Sequence, residues 1–286
     1  MKSEIFSINA LTNMHVGSGE VNYGLIDNLI QRDPILELPN INASSLKGAL
    51  REYCTILAKE KPLNFSIEAV FGSDPKDQER RLPGSVRFFE AELVSLPVRS
   101  DKVPYMMATS ESRLRHIMNM IETFKPHNGS AIKVELQKVL KVLIDLTDES
   151  VVSFNRNLGG AVVGDLGAEV KVVYKNVDDK LDALSTVLGE NLIILKDEDL
   201  KLLCSDDYLP VISRNNLEDG QSKNLWYEQV LPKYSRLIFA LTGEDKQFDA
   251  FCAEMNEKDS LVQIGANATI GYGLCKLSNV CVNQNK

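Results

Sequence analysis

The sequence predicts an α+β domain carrying inserted elements. Three observations lead to that reading: a β-branched opening segment, an amphipathic helix soon after it, and a strand–helix–strand run near the C-terminal end. No internal repeat or low-complexity linker divides the 286 residues, so a single domain over 1–286 is the economical organisation.

KSEIFSINALT (2–12) is rich in apolar and β-branched residues and ends at a polar run, as a strand does. HVGSGEVNYGLIDNLIQRDP (15–34) then forms a long glycine-containing loop that carries a histidine, a serine, a carboxylate and an arginine. SSLKGALREYCTILAKE (44–60) places Leu46, Ala49, Leu50, Tyr53, Cys54 and Leu57 on one stripe of a helix. Ser44 or Ser45 is its expected N-cap and Pro62 its stop, with Lys47 and Arg51 on the opposite face.

SVRFFEAELVSLPV (85–98) alternates like a strand, and 110–124 and 132–146 carry helical spacing. The glycines of 157–174 divide that stretch into short strands of a hairpin. Residues 208–232 hold two apolar arms around RNNLEDGQSKN, a polar tip, and predict a protruding β-hairpin. KYSRLIFALTG is a strand and DKQFDAFCAEMN a helix with Phe248, Phe251, Cys252 and Met255 inward. LVQIGANATIGYGLCKLSNV reads as strand, glycine loop and strand.

The apolar share of 44% suffices for a core, and windows such as LIFAL (237–241) are far too short to span a bilayer. No signal peptide is read at the N-terminus. Five scattered cysteines without CxxC spacing fit reduced thiols, and a cytoplasmic location is expected. A net charge of −8 and a pI near 5.1 argue against a free-standing basic nucleic-acid binder. The average hides a division, since acidic residues crowd 177–207 while Lys47, Arg51, Arg87, Arg99, Arg113 and Arg115 lie in the first half.

Several groups carry candidate chemistry. Gly265, Gly271 and Gly273 let a backbone approach a phosphate, or simply make a tight turn. The start of the 44–60 helix is an anion site assisted by Lys47, or a solvated face. His15, Asp27 and Glu228 could form a proton-transfer or metal-binding set, although loop residues this far apart need not meet. His116 and His127 look weaker, His116 as a helix-face residue. Without HExxH, GxSxG or GxxxxGK[ST], zincin, serine-hydrolase and P-loop chemistry lack their signals.

Taken in order, these motifs resemble the RAMP superfamily, the ferredoxin-like RNA-handling subunits of CRISPR effector complexes. The resemblance is closest to the backbone subunits of the type III-B, or Cmr, complex. It runs through HVGSGEVNYGLIDNLIQRDP, SSLKGALRE, SVRFFEAELVSLPVRS, NLWYEQVLP and IGANATIGYGL. It implies an RRM-like palm with insertions over about 61–150 and a β-hairpin thumb over about 208–227.

Copies of such a subunit stack along a CRISPR guide RNA as a helical filament with other Cmr subunits and no membrane. Each thumb displaces one guide nucleotide, and bound single-stranded target RNA is cut beside each kink by a metal-dependent reaction. The divalent metal expected is Mg2+ or Mn2+.

By the same resemblance, Asp27 is the catalytic and metal-binding carboxylate, with His15 and Glu228 at neighbouring positions. Ser44, Ser45, Lys47, Arg51, Arg214, Gly271, Tyr272 and Gly273 match RNA-binding positions. Two departures stand out: Ile41-Asn42-Ala43 replaces a Pro-Gly before the helix, and Ala266 and Tyr272 stand where the last loop usually has Gly-Gly and a basic residue. Two alternatives remain open, a non-catalytic guide-binding scaffold and a metal-independent nuclease that processes guide precursors.

Overall fold

The structure, a computed structural model, describes residues 1–19, 24–74, 81–126, 129–144, 151–173, 181–218, 221–257 and 260–281. His127, residues 20–23 of the opening loop and the 219–220 hairpin tip lie outside them.

β1 (Lys2–Ala10) leads through the long loop to β2 (Asn40–Ile41) and α1 (Ala43–Glu60). Next come α2 (Ile67–Phe71), β3 (Arg87–Phe88), β4 (Ala91–Val98), β5 (Met106–Ser110), α3 (Glu111–Phe124) and α4 (Ser130–Leu143). The inserted half continues with β6 (Val151–Ser153), β7 (Val162–Val163), β8 (Ala168–Glu169), β9 (Lys171–Val172), α5 (Asp182–Leu188), β10 (Leu192–Leu195) and α6 (Asp197–Leu203). The C-terminal part holds the β11 (Val211–Glu218) and β12 (Gln221–Gln229) hairpin, β13 (Arg236–Gly243), α7 (Lys246–Met255), β14 (Leu261–Gln263) and β15 (Leu274–Asn279).

Four strands define the palm. β15, β1, β13 and β4 lie side by side, each antiparallel to its neighbour. With α1 after β1 and α7 after β13, this is the βαββαβ ferredoxin-like arrangement that the motifs imply. The sheet then continues beyond β4 through β5, β10, β6 and β9.

Side chains alternate across the palm, as the strand period of two requires. Phe6, Ile8, Leu237, Phe239 and Leu241 face α1, α2 and α7, while Ile5, Ile238 and Ala240 face α3, α4 and α5. Helices therefore cover both faces. β4 keeps its apolar face only by slipping: the register jumps between Arg236 opposite Ser95 and Leu237 opposite Leu93. That bulge moves the inward positions from Ala91 and Leu93 to Leu96 and Val98.

Two details differ from expectation. The predicted strand over 85–98 is broken between β3 and β4. The α1 N-cap is Asn42 rather than Ser44 or Ser45, and its side chain makes no capping hydrogen bond. The hairpin spans Val211–Gln229 and pairs internally. All five cysteines are buried free thiols. Among the described residues no helix is long and apolar enough to cross a membrane.

Candidate nucleic-acid interface and active site

The opening loop is pinned on three sides. Met14 and Leu231 exchange backbone hydrogen bonds of 2.9 and 2.8 Å, which ties the loop to the base of the hairpin. The Ala266 and Gly273 amides donate to the carbonyls of His15 and Asn13, both at 2.8 Å, and bring in the C-terminal glycine loop. The loop also closes on itself, with the Gln31 amide donating to the Val16 carbonyl at 2.8 Å. Gly265 makes this docking possible: at φ +88° it sits so close that a Cβ would lie 2.4 Å from the His15 carbonyl oxygen.

Asp27 reaches the surface at the hairpin base. Its amide donates to the Tyr227 carbonyl at 3.1 Å, and its Oδ2 accepts from the Tyr227 amide at 2.8 Å. The neighbouring Asn28 pairs with Glu228 in a parallel bridge. His15 is buried below, and its Nδ1 donates to the Gln229 carbonyl at 2.7 Å. In the neutral ring that bond leaves the lone pair on Nε2.

Glu228 is saturated. It accepts from Trp226 Nε1 at 2.9 Å, Arg214 Nε at 3.1 Å and Asn267 Nδ2 at 2.8 Å. Burial pushes its carboxyl upward, but the Trp226 hydrogen bond, the Arg214 charge and the nearby His15 outweigh that and hold it below the usual range. Arg214 in turn lies over the Tyr272 ring, 4.6 Å from its centroid. The ion pair ties the two hairpin strands to each other, and hairpin and glycine loop are joined through the Asn267 hydrogen bond to Glu228 and the Arg214–Tyr272 ring contact. Trp226 and Asn267, which complete this joint, carried no signal in the sequence because each acts through a single side-chain donor.

A groove of about 930 Å3 runs between α1 and the glycine loop, lined by Ser44, Ser45, Gly48, Gly17, Gln31 and Gly265 among others. No lysine or arginine lines it among the described residues. A nucleic-acid backbone there would meet hydroxyls, amides and close-packed backbone, which are common phosphate and sugar contacts, although Glu52 and Glu60 also line the groove and would repel a phosphate. Gln31, also unforeseen, ties the groove to the opening loop. Its Nε2 donates to the Gly17 carbonyl at 3.1 Å and Ser45 Oγ at 3.0 Å, and its Oε1 accepts the Asn42 amide at 2.8 Å.

Lys47 and Arg51 lie on the other flank of α1. Lys47 sits over the Phe88 ring at 5.7 Å, and Arg51 donates to the Ser73 carbonyl at 3.1 Å. The structure therefore gathers His15, Asp27, Glu228, Arg214, Tyr272 and Gly273 at the hairpin base. Ser44 and Ser45 line the groove, while Lys47 and Arg51 stand apart.

A resident metal is poorly matched. Among the described residues no three His, Cys, Asp or Glu side chains come together to hold an ion. Asp27 offers one exposed carboxylate with an oxygen left over from the Tyr227 contact. Such a group suits a Mg2+ that keeps its waters and is held mainly by substrate phosphates.

Residues 7–276 match the sequence pattern of the RAMP superfamily. A Pyrococcus furiosus protein described as the CRISPR system Cmr endoribonuclease Cmr4 is 26% identical, with 100% of this chain and 98% of that protein covered. In fold, the chain resembles a subunit in a cryo-EM structure of type III-B Cmr-beta bound to cognate target RNA. The TM-score is 0.77 at 23% identity, covering 98% of each chain. It also resembles oligomeric Cmr4 from Pyrococcus furiosus, with a TM-score of 0.67 at 20% identity, covering 98% of this chain and 99% of the other.

Proposed function

The chain belongs to the RAMP superfamily, and from that premise we propose that it is a guide-RNA-binding backbone subunit of a type III-B CRISPR complex that cleaves bound target RNA. The observation that carries this reading is the meeting of Asp27 with the hairpin: an exposed carboxylate is hydrogen-bonded to the strand that would act as thumb. The hairpin would displace a nucleotide, and the exposed carboxylate would stand beside the bent backbone.

Cleavage needs the 2′-hydroxyl in line with the scissile phosphate, and a kink supplies that alignment. Asp27 would accept the hydroxyl proton or hold Mg2+ or Mn2+ brought by the RNA, and such an ion would stabilise charge on the leaving oxygen. Buried His15 and saturated Glu228 act as supports that hold the loop and the hairpin base. The burial of His15 also favours this reading over a histidine-based nuclease that processes guide precursors.

Self-association along the guide accords with the fold likeness to oligomeric Cmr4, and target binding with the likeness to the RNA-bound Cmr-beta subunit. The decisive experiment uses the complex assembled with its partner subunits, a guide and a labelled target. Wild type cuts at regular intervals, EDTA stops cutting, and Asp27→Asn binds target without cutting. If Asp27→Asn cuts at the wild-type rate, Asp27 is not the catalytic group. If the wild-type complex never cuts, the scaffold reading replaces this one.

A further inference from the structure

Asn9 stands in the middle of a cross-strand row, paired with Arg236 of β13 on one side and Lys276 of β15 on the other. Alternation along β1 puts this row on the Ile5 face of the sheet, away from α1. The row borders a cavity of about 350 Å3 that Tyr105, Ser185, Glu190 and Ser278 also line.

Two buried polar atoms here have no hydrogen-bond partner: Arg236 Nε, a donor, and Asn9 Oδ1, an acceptor. Neither Arg236 nor Lys276 forms an ion pair among the described residues. Glu190 lies at the exposed rim and is the one carboxylate in the lining. Burial opposes the charge on Arg236, and the nearby Tyr105 and Glu190 offset that only in part, while a guanidinium stays protonated. The α5 C-terminus brings a fraction of a negative charge. With Glu190 added, two cations still leave the cavity positive.

The wall is Tyr105 stacked on Tyr234, with ring centroids 4.7 Å apart, and Tyr234 is held at φ +75°. A bulky residue in that region is a strained outlier of the kind found at binding sites. An unmet donor one strand away from an unmet acceptor calls for a ligand that supplies both partners. A phosphodiester oxygen followed by a ribose hydroxyl does so, whereas a carboxylate satisfies only the first.

We propose that this cavity is a second RNA contact, taking one phosphate and the adjoining 2′-hydroxyl on the sheet face opposite the α1 groove. The assignment rests on the RNA-binding reading above. It deepens that reading, because β1 runs into the loop bearing His15, and β13 and β15 follow the segments bearing Glu228 and Tyr272.

The test is binding of labelled single-stranded RNA to the purified chain across a salt series. Arg236→Gln and Lys276→Gln should each reduce the slope of log affinity against log salt by about 0.7 and weaken binding about fourfold at near-physiological salt. Lys276→Arg should restore the slope, and Lys59→Gln on exposed α1 surface should leave it unchanged. Asn9→Ala should weaken RNA binding and leave the matched DNA strand unaffected.

Wild-type slopes in both charge variants would overturn the site, while a wild-type chain that binds no RNA would overturn the functional reading itself. Equal losses of Asn9→Ala on RNA and DNA would overturn the 2′-hydroxyl contact. Inorganic phosphate that raises the Tm of wild type but not of Lys276→Gln, with RNA affinity unchanged in that variant, would make this a free-anion site and overturn the RNA assignment.

Discussion

Asp27 and Tyr227 are locked together through the backbone amide of each, the Asp27 amide donating to the Tyr227 carbonyl and the Tyr227 amide donating to Asp27 Oδ2. The position of the candidate catalytic carboxylate is therefore set by the hairpin, and any displacement of the hairpin by RNA is felt at Asp27. An asparagine keeps an oxygen acceptor for the Tyr227 amide. Asp27→Asn should accordingly leave the fold, guide binding and assembly intact while lowering cleavage by about 10²-fold or more. Single-turnover cleavage alongside RNA affinity checks this, and a parallel loss of affinity would point to a disturbed loop.

Glu228→Gln should behave differently, because that carboxylate accepts the Arg214, Trp226 and Asn267 hydrogen bonds at the hairpin base. Removing its charge strips Arg214 of its ion-pair partner at the hairpin base, where Arg214 already holds one buried nitrogen without a hydrogen bond. A destabilisation of about 3 kcal/mol is expected. The sign with pH follows from a folded-state pKa below the ordinary carboxyl value of 4.5. The contribution is complete above the unfolded value and is lost as pH falls through the lower folded one. Urea unfolding of wild type and variant should thus converge on acidification below about pH 4.5.

Much of this architecture was legible because amphipathic period and turn residues agree. The α1 stripe of Leu46, Leu50 and Cys54 is buried as its spacing requires, and so are Phe248, Phe251, Cys252 and Met255 of α7. β10 was not legible. Its four residues Leu192–Leu195 are fully buried between β5 and β6, so they show no alternation, and they lie in an acidic stretch that reads as surface.

Within the site, the glycine loop and the 15–34 loop could be singled out by residue type. Their docking could not, since it depends on backbone pairs such as Ala266 with His15 that any residues can make. The helix begins earlier than the serines suggest, with Asn42 as its cap, and the Gln31 side chain in the opening loop accepts the amide of that residue.

The glycine loop offers a paired test of what docking demands. Gly271, at φ +82°, has open space where a Cβ would be placed, so Gly271→Ala incurs only the left-handed backbone cost, about 1–2 kcal/mol. Gly265→Ala adds a clash with the His15 carbonyl, which belongs to backbone and cannot rotate away. It should lower stability by more than Gly271→Ala and detach the loop from His15. Thermal unfolding measures the first effect, and hydrogen exchange at the Ala266 amide the second, where protection should fall only in Gly265→Ala.

His116 supplies a second acid-sensitive element, away from the RNA site. It lies 3.3 Å from Glu92, a carboxylate also shared with Arg113 at 3.4 Å. Burial, and then the Arg113 charge, lower its pKa from 6.5 to about 4. The unfolded chain therefore takes up this proton first as pH falls below 6.5. Stability is lost between about pH 6.5 and 4 and stops changing once the folded ring is protonated too. The shift corresponds to about 3 kcal/mol over that window. His116→Gln, which cannot titrate, should flatten the stability profile from pH 6.5 to 4 and leave the Glu228-dependent loss at lower pH in place. An unchanged slope in that variant would mean that some other group titrates there.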